Sequence, residues 1–268
     1  MTDTAISTAV AVFGATGRMG QALVRVIRAE PRARLAAALV RGGSPSAGRA
    51  VPGVEASARD GDAERYADRL AVAPAALIEF AGPDGFDAAL DLAMKHGCAF
   101  VSGSTGLSPS QLAALDAAAA RIPVLWSANF SLGIAVLTRL VREAAAALAD
   151  WDCEIVEAHH RHKRDAPSGT ALALGRAAAE GRGVAFESVA GAVSRSGERR
   201  DGEIGFAVVR GGDIVGEHAV VLLGTGERVE LGHRATDRDI FARGAVRAAL
   251  WLAGRAPGRY ALQDLFAR

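Results

Sequence analysis

The residues best suited to chemistry form one dense polar cluster, residues 159–170. The cluster contains three of the chain's six histidines, His159, His160 and His162, and imidazoles are the side chains that titrate near neutral pH. It also contains Lys163, whereas arginine supplies nearly all of the other basic residues. A lysine offers a compact amine that can release its proton, which an arginine cannot do. The cluster therefore indicates acid–base chemistry on a small anionic molecule.

The same cluster ends at the predicted start of a helix. Exposed amides at a helix start bind carboxylates and phosphates. The side chain of Asp165 or Ser168 could cap this helix, with Pro167 in its first turn. Neighbouring cations add to the attraction, so we expect an anionic ligand with two acidic groups. The predicted anion-binding residues are Ser168, Gly169 and Thr170.

Three other interpretations of the cluster are weaker. A metal site is disfavoured because the interleaved Arg161, Lys163 and Arg164 would repel a cation and no nearby cysteine pair completes a ligand set. We therefore expect no metal. A nucleic-acid surface would need a broader positive charge and stacking aromatic residues. A solvated basic loop is the remaining, non-functional interpretation.

A glycine-rich turn follows the first predicted strand, residues 8–13, and opens a predicted helix. Glycines permit a tight turn and the close approach of a pyrophosphate to the helix amides, although Thr16 replaces the second glycine of the stricter dinucleotide motif. A purely structural turn is the alternative, but the strand–turn–helix context favours a nucleotide. The predicted cofactor contacts are Gly14, Ala15, Thr16, Gly17, Arg18 and Met19.

The end of the second predicted strand, residues 33–40, indicates which nucleotide binds. A carboxylate about 20 residues beyond the glycines ordinarily holds the adenosine ribose. Here the strand is followed by Arg41 instead. Because an arginine pairs well with a 2′-phosphate, the sequence favours NADPH, with NADH as a possible second cofactor. A solvated arginine at the strand end is the alternative.

Two further predicted strands end in small polar loops. Ligands of parallel sheets lie outside the carboxyl ends of the strands, so both loops are expected to face the cofactor. The second loop holds the only asparagine of the chain, Asn129. Ordinary turn chemistry is the alternative, since Gly, Ser and Asn are common turn residues. The predicted contacts are Gly103, Ser104, Thr105, Ser127, Ala128, Asn129 and Phe130.

The secondary structure predicted between these motifs indicates the fold that positions them. Short apolar strand candidates alternate with helical patterns through about residue 130, which predicts an α/β domain with a Rossmann-like, doubly wound parallel sheet. Short β-rich runs over residues 184–234 predict a second α+β domain with a mostly antiparallel or mixed sheet. The predicted domains are 1–130 with 240–268, for the dinucleotide, and 131–239, for the substrate.

Bulk properties narrow the classes of partner. The formal net charge is +1, so no global field favours nucleic acid or a membrane surface. Two cysteines, Cys98 and Cys153, are too few for a disulfide framework and suit a reducing compartment. No run of 18 apolar residues predicts a membrane span. We expect a cytoplasmic protein with no membrane or nucleic-acid partner.

The motifs together resemble the 4-hydroxy-tetrahydrodipicolinate reductase family. The resemblance extends over essentially the whole chain and is carried by residues 14–20, 103–106, 128–131, 157–163, 165–171, 202–206 and 216–218. It implies an enzyme of lysine and diaminopimelate synthesis that acts on a cyclic 2,6-dicarboxylate. That substrate loses water to become a conjugated imine, which NAD(P)H reduces to tetrahydrodipicolinate.

The resemblance also implies roles for residues and an assembly. His159 and Lys163 are implied as the acid–base pair. The implied carboxylate binders are His160, Gly169 and Thr170, with Ser168 beside them. A homotetramer assembled through the sheet of the second domain is implied as well. The chain departs from the family pattern at Glu79, Ala81 and Ala135.

Two functions of other classes stay open on the sequence alone. One is a different NAD(P)H-dependent reductase or amino-acid dehydrogenase, because one scaffold serves many reactions. The other is a non-catalytic dinucleotide sensor, which would not require the titratable cluster. Oxidation of NADPH in the presence of the lysine-pathway dicarboxylate separates both from the family's reaction.

Overall fold

The computed structural model describes residues 7–40, 64–65, 73–191, 193 and 197–267. The chain divides into two compact units. The first unit comprises Met1–Phe130 together with Asp239–Arg268, and the second comprises Ser131–Arg238. Strands and helices are numbered below along the whole chain. No helix in the described ranges is long and apolar enough to cross a bilayer.

The first unit is built on a parallel sheet that has seven strands within the described residues, in the order β11-β6-β5-β4-β1-β2-β3. Its central strand β1 is apolar along its length, and Val10, Val12 and Phe13 are completely buried, as expected of a strand covered on both faces. The strands are β1 Thr8–Phe13, β2 Ala33–Val40, β3 Glu64–Arg65, β4 Ala76–Glu79, β5 Ala99–Ser102, β6 Pro123–Trp126 and β11 Gly258–Tyr260.

Helices connect these parallel strands, which confirms the predicted doubly wound α/β architecture. The order of the sheet reverses at β1, which pairs with β2 on one side and with β4 on the other. Such a reversal leaves a crevice at the carboxyl ends of the strands, where this class of fold binds its ligands. The helices of this unit are α1 Arg18–Ala29, α2 Pro83–His96, α3 Pro109–Ala119 and α7 Asp239–Leu252, followed by a 3-10 helix, Leu262–Phe266.

The second unit contains a four-stranded sheet in the order β10-β9-β7-β8. The pair β7–β8 is parallel and the other two pairs are antiparallel, so the sheet is mixed, as predicted. The strands are β7 Asp152–His159, β8 Ile204–Arg210, β9 Gly216–Gly224 and β10 Glu227–Ala235. The helices are α4 Leu132–Ala147, α5 Gly169–Gly181 and the short α6 Phe186–Val189.

The alternation of buried and exposed side chains along β7 explains why Glu157 and His159 lie side by side. Its inward side chains begin with Cys153 and Ile155, which belong to the apolar core that α4 and α5 share with the sheet. The same face then continues with Glu157 and His159, which are also buried. Since side chains of a strand alternate between faces, this register places a carboxyl and an imidazole together at the carboxyl end of β7.

Candidate functional site

A buried imidazole–carboxyl pair forms the centre of the site in the second unit. Nδ1 of His159 lies 2.6 Å from Oε2 of Glu157. The Glu157 side chain is fully buried and that of His159 is only 10% exposed. A buried ionisable group needs a partner of opposite charge or a set of hydrogen bonds, and this pair has both.

Arg210, the last residue of β8, holds the carboxyl group of Glu157 in a two-pronged ion pair. Its Nη1 lies 2.8 Å from Oε2 and its Nη2 lies 2.7 Å from Oε1. Burial on its own would raise the pKa of Glu157, but hydrogen bonds from Arg210, His159 and the Ser168 amide outweigh burial and lower it. Glu157 is therefore an ionised, acceptor-only carboxylate at neutral pH.

Ser168 caps helix α5 and connects the helix start to this pair. Its Oγ accepts a hydrogen bond from the amide of Ala171, and its own amide donates to Oε1 of Glu157 at 3.0 Å. Of the two candidate caps, Ser168 is the one used. Asp165 pairs instead with Lys163, and Pro167 precedes the cap, because the helix begins only at Gly169. The predicted anion-binding residues Gly169 and Thr170 are the first two residues of α5.

His218 of β9 closes the site from the neighbouring strand. Its Nε2 lies 3.1 Å from Oγ of Ser168, and its ring stands edge-on to that of His159 with the centroids 5.1 Å apart. Burial lowers the pKa of His218 from 6.5 to about 4. His218 is therefore a neutral hydrogen-bonding group at physiological pH.

The turn between β7 and α5 holds the remaining predicted residues of the cluster. The ammonium group of Lys163 lies 2.8 and 2.9 Å from the two carboxyl oxygens of Asp165, and this contact lowers the pKa of Asp165. His160 is half-buried, and its Nδ1 is a buried nitrogen with no hydrogen-bond partner among the described residues. Desolvation, followed by the charge of Arg238, lowers the pKa of His160. An orphaned buried nitrogen is a typical place for a ligand group to bind.

Three residues of this site were absent from the predicted set: Glu157 as a partner of His159, Arg210 and His218. Glu157 had a readable signal, because it lies two residues before His159 and therefore on the same face of the strand. Arg210 had none, and His218 stood only in the family motif at residues 216–218, because the contacts of both depend on the register of β8 and β9 against β7. That register pairs Glu157 with His218 and His159 with Arg210.

The glycine turn of the first unit has the geometry of a phosphate cradle. Gly14 has a φ of +87°, and a Cβ at Gly20 would lie 2.1 Å from the Gly14 carbonyl oxygen. Gly17 precedes α1 without a side-chain cap, and no acidic residue lies in the first turn of the helix. The first amides of α1 are therefore not occupied by a capping side chain and can donate hydrogen bonds to an anion.

The loop after β5 is tied to the loop after β4 by a buried acid, Glu79. Oε1 of Glu79 accepts hydrogen bonds from Oγ of Ser104 and from the Ala81 amide, and Oε2 accepts one from Oγ of Ser102. Burial raises the pKa of Glu79, although the hydrogen bonds from these two serines oppose the change. A Cβ at Gly103 would overlap the Phe80 ring, so the backbone there runs directly against an aromatic side chain.

The loop after β6 is buried at Phe130 and exposed at Ala128. Oγ of Ser127 donates to the carbonyl oxygen of Asn129, which closes a tight turn. The Phe130 side chain is buried and its ring centroid lies 5.6 Å from that of Phe80. Phe130 therefore packs inside the first unit, whereas Ala128 is exposed. The predicted contact Arg41 lies outside the described residues, which stop at Val40 before resuming at residue 64.

Fold and site together define the class of protein. A doubly wound sheet with a glycine cradle at its switch point is the scaffold of a dinucleotide-dependent oxidoreductase. Residues 8–130 match the family model described as dihydrodipicolinate reductase, N-terminus, and residues 133–266 match the model described as dihydrodipicolinate reductase, C-terminus. The chain therefore belongs to the dihydrodipicolinate reductase family.

Curated relatives agree with this assignment. A 4-hydroxy-tetrahydrodipicolinate reductase from Stenotrophomonas maltophilia is 52% identical over 256 residues, which is 95% of each chain. Another from Alkalilimnicola ehrlichii is 47% identical over 266 residues, covering 97% of this chain and 99% of the relative. The predicted family is confirmed.

Solved structures show the same fold. A dipicolinate-bound dihydrodipicolinate reductase from a Paenisporosarcina species matches with a TM-score of 0.77 at 22% identity, covering 97% of this chain and 99% of that one. Aspartate semialdehyde dehydrogenase II from Vibrio cholerae matches with a TM-score of 0.53 at 13% identity, covering 92% of this chain and 97% of that one. At these identities the likeness concerns the fold alone.

Proposed function

We propose that this chain catalyses the NAD(P)H-dependent reduction of 4-hydroxy-tetrahydrodipicolinate in lysine and diaminopimelate synthesis. The substrate loses water to give a conjugated imine, and a hydride and a proton then convert the imine to tetrahydrodipicolinate. Membership of the family and the names of its curated relatives support this reaction. The observation that carries it on this chain is the buried Glu157–His159 pair beside the capped start of α5.

The substrate-binding residues that we propose are His160, Ser168, Gly169 and Thr170. The start of α5 offers backbone amides and the positive end of a helix dipole to a carboxylate. The orphaned Nδ1 of His160 offers a second polar contact. Lys163 adds a positive charge in the same turn. A molecule with two carboxylates suits this set better than one with a single charge.

The acid–base pair that we propose consists of His159 and Lys163. Addition of a hydride to a conjugated imine leaves an electron-rich enamine, which needs a proton from a positioned acid. The Lys163 ammonium and the His159 imidazole are the proposed proton carriers, and the salt bridge with Asp165 holds the ammonium group in the turn. The His159 side chain is 10% exposed and that of Lys163 is 21% exposed.

The first unit is proposed as the dinucleotide-binding domain and the second as the substrate-binding and oligomerisation domain. A reduced nicotinamide supplies the hydride when it is bound. The glycine turn fits its pyrophosphate, because the first amides of α1 have no capping side chain. Glycine is needed at two positions of this turn, since a Cβ at Gly14 or Gly20 would lie 3.1 or 2.1 Å from neighbouring backbone oxygens. The proposed contacts are Gly14, Ala15, Thr16, Gly17, Arg18, Met19, Arg41, Gly103, Ser104, Thr105, Ser127, Ala128, Asn129 and Phe130.

NADPH is the proposed cofactor, with NADH as a possible second one. The support is Arg41, which follows β2 in place of the acid that ordinarily holds a ribose diol. The substitution Arg41→Asp is expected to raise the KM for NADPH far more than the KM for NADH, as measured by steady-state kinetics with both cofactors. Equal increases would contradict a contact with the 2′-phosphate.

A cytoplasmic homotetramer is the proposed form of the protein. The face of the second sheet that points away from its helices carries exposed apolar side chains, with Val156 38% and Val209 50% exposed. Exposed apolar surface on a sheet is a typical subunit contact. Both cysteines are buried and unpaired, which suits a reducing compartment. Light scattering at several concentrations tests the tetramer, and a monomer at all of them would contradict it.

The reaction is tested by steady-state oxidation of NADPH with 4-hydroxy-tetrahydrodipicolinate. The wild-type protein should turn over, and His159→Gln should lower kcat by about 10²-fold or more with a smaller change in KM, because a proton donor acts mainly in the transition state. A change confined to KM would contradict the role of His159. No oxidation by the wild-type protein would contradict the reaction itself.

A further inference from the structure

We infer that Glu157 is a positioning residue that fixes the tautomer and the orientation of the His159 ring, and that the same carboxylate holds the start of helix α5 in place. This inference rests on the proposed function of His159 and of the helix start. The evidence is the convergence of four N–H donors on a single carboxylate.

The four donors divide evenly between the two carboxyl oxygens. Oε1 of Glu157 receives the Ser168 amide at 3.0 Å and Nη2 of Arg210 at 2.7 Å. Oε2 receives Nη1 of Arg210 at 2.8 Å and Nδ1 of His159 at 2.6 Å. An ionised carboxylate has acceptor sites for all four and no donor of its own. Only the charged form therefore satisfies the whole arrangement.

The tautomer of the His159 ring, that is, which nitrogen carries the hydrogen when the ring is neutral, follows from this arrangement. Because Glu157 is ionised and can only accept, the hydrogen on the bond to His159 must lie on Nδ1. In the neutral imidazole, Nε2 is then the nitrogen with the free electron pair, and it is the nitrogen that exchanges protons with a ligand. Nε2 lies beside Gly216, where an added Cβ would come within 3.0 Å of it. The carboxylate thus leaves Nε2 of His159 as the nitrogen that can exchange a proton with a ligand. The absence of a side chain at Gly216 leaves space beside Nε2.

The same carboxylate also couples the imidazole to the anion-binding residues. Ser168 is the cap of α5, and its amide is held by the oxygen atom next to the one that holds His159. Arg210 extends the connection, since its Nη2 also donates to the carbonyl oxygen of Asp165 at 2.6 Å. One buried side chain therefore sets the distance between the proton carrier and the helix start. Loss of the Glu157 contacts should therefore lower kcat more than it lowers the affinity for the substrate.

Glu157→Gln is the sharpest perturbation. A glutamine keeps the shape but has one oxygen and one NH2 group, so in either orientation the NH2 group faces two donors. In one orientation it opposes His159 and Arg210, and in the other it opposes Ser168 and Arg210. We expect kcat to fall by about 10²- to 10⁴-fold, as when a carboxylate that orients a catalytic histidine is replaced by its amide, with a smaller rise in the substrate KM.

The control is Glu187→Gln, which removes an equal charge from an exposed ion pair with Arg176 in the same unit. It should leave kcat within about 2-fold. Arg210→Lys keeps the charge but loses the two-pronged contact, and should lower kcat less than Glu157→Gln does.

Nitrogen-15 NMR of the histidine rings gives a readout that does not depend on turnover. During a pH titration, the neutral ring of His159 should carry its proton on Nδ1, and Glu157→Gln should alter that signal. A neutral ring protonated on Nε2, or an unchanged kcat in Glu157→Gln, would overturn the inference. If the wild-type protein shows no reductase activity but has the Nδ1–H ring, the proposed function fails while the hydrogen-bond assignment stands.

Discussion

His218→Gln should remove much of the loss of stability that this protein suffers on mild acidification. Burial holds the pKa of His218 at about 4 in the folded protein, against 6.5 for a solvated histidine. The unfolded chain therefore takes up a proton first as the pH falls below about 6.5, and this uptake favours unfolding. The contribution of His218 to stability is complete above pH 6.5 and is lost as the pH falls towards 4.

The two pKa values set the size of the effect. Linkage gives a loss of about 2 kcal/mol in the free energy of unfolding between pH 7 and pH 5 from this one imidazole. Glutamine keeps a hydrogen-bonding group beside Ser168 but does not titrate. The other charged groups that act on His218, namely His159, Glu157, His233 and Lys163, are present in both proteins.

Urea unfolding followed by circular dichroism, at pH 5, 7 and 8, measures the difference. The wild-type protein should lose about 2 kcal/mol more than His218→Gln between pH 7 and pH 5. Between pH 7 and pH 8 the two proteins should change in parallel, which serves as the internal control. Equal losses from pH 7 to pH 5 would refute the reasoning that burial keeps His218 neutral.

Three further substitutions test the contacts around the two sites. Ser168→Ala removes a helix cap and the partner of His218, so it should cost about 2–4 kcal/mol in urea unfolding. The control Ser108→Ala removes a cap and an exposed contact with the Ser110 hydroxyl, and should cost about 1 kcal/mol. Equal costs would argue against the His218 contact. Gly216→Ala should lower kcat about 10-fold or more by crowding Nε2 of His159, whereas Gly211→Ala, where an added Cβ meets nothing within 4 Å, should not. Glu79→Ala leaves three donors unpaired and should lower the free energy of unfolding by about 3 kcal/mol in urea. Its control, Glu79→Gln, keeps two of the three hydrogen bonds and should lower the free energy of unfolding by less than about 1 kcal/mol.

Periodicity and turn chemistry were sufficient for the architecture of both units. The apolar strand β1 and the glycines after it are local signals, and the same holds for the Ser168 cap. Local signals leave two candidate starts for α5, because Asp165 and Ser168 are both good caps by residue type. Lys163 resolves the choice, since its ammonium group occupies the Asp165 carboxyl.

The long-range contacts of the site were not predictable in the same way. Arg210 and His218 reach Glu157 and Ser168 only through the pairing of strands that are about 50 residues apart in the chain. Glu79 is a similar case: the sequence departs from the family pattern there, but its contacts with Ser102 and Ser104 depend on the parallel pairing of β4 with β5.

The most direct test of the central claim is a single-turnover experiment on Lys163→Met. The central claim is that Lys163 and His159 deliver a proton to a dicarboxylate held at the start of α5. With the enzyme in excess over NADPH and the substrate saturating, the variant should oxidise the cofactor about 10²-fold or more slowly than the wild-type protein. Its affinity for dipicolinate should fall by a smaller factor, because the first amides of α5 and His160 remain. Equal rates of oxidation in the two proteins would contradict the account.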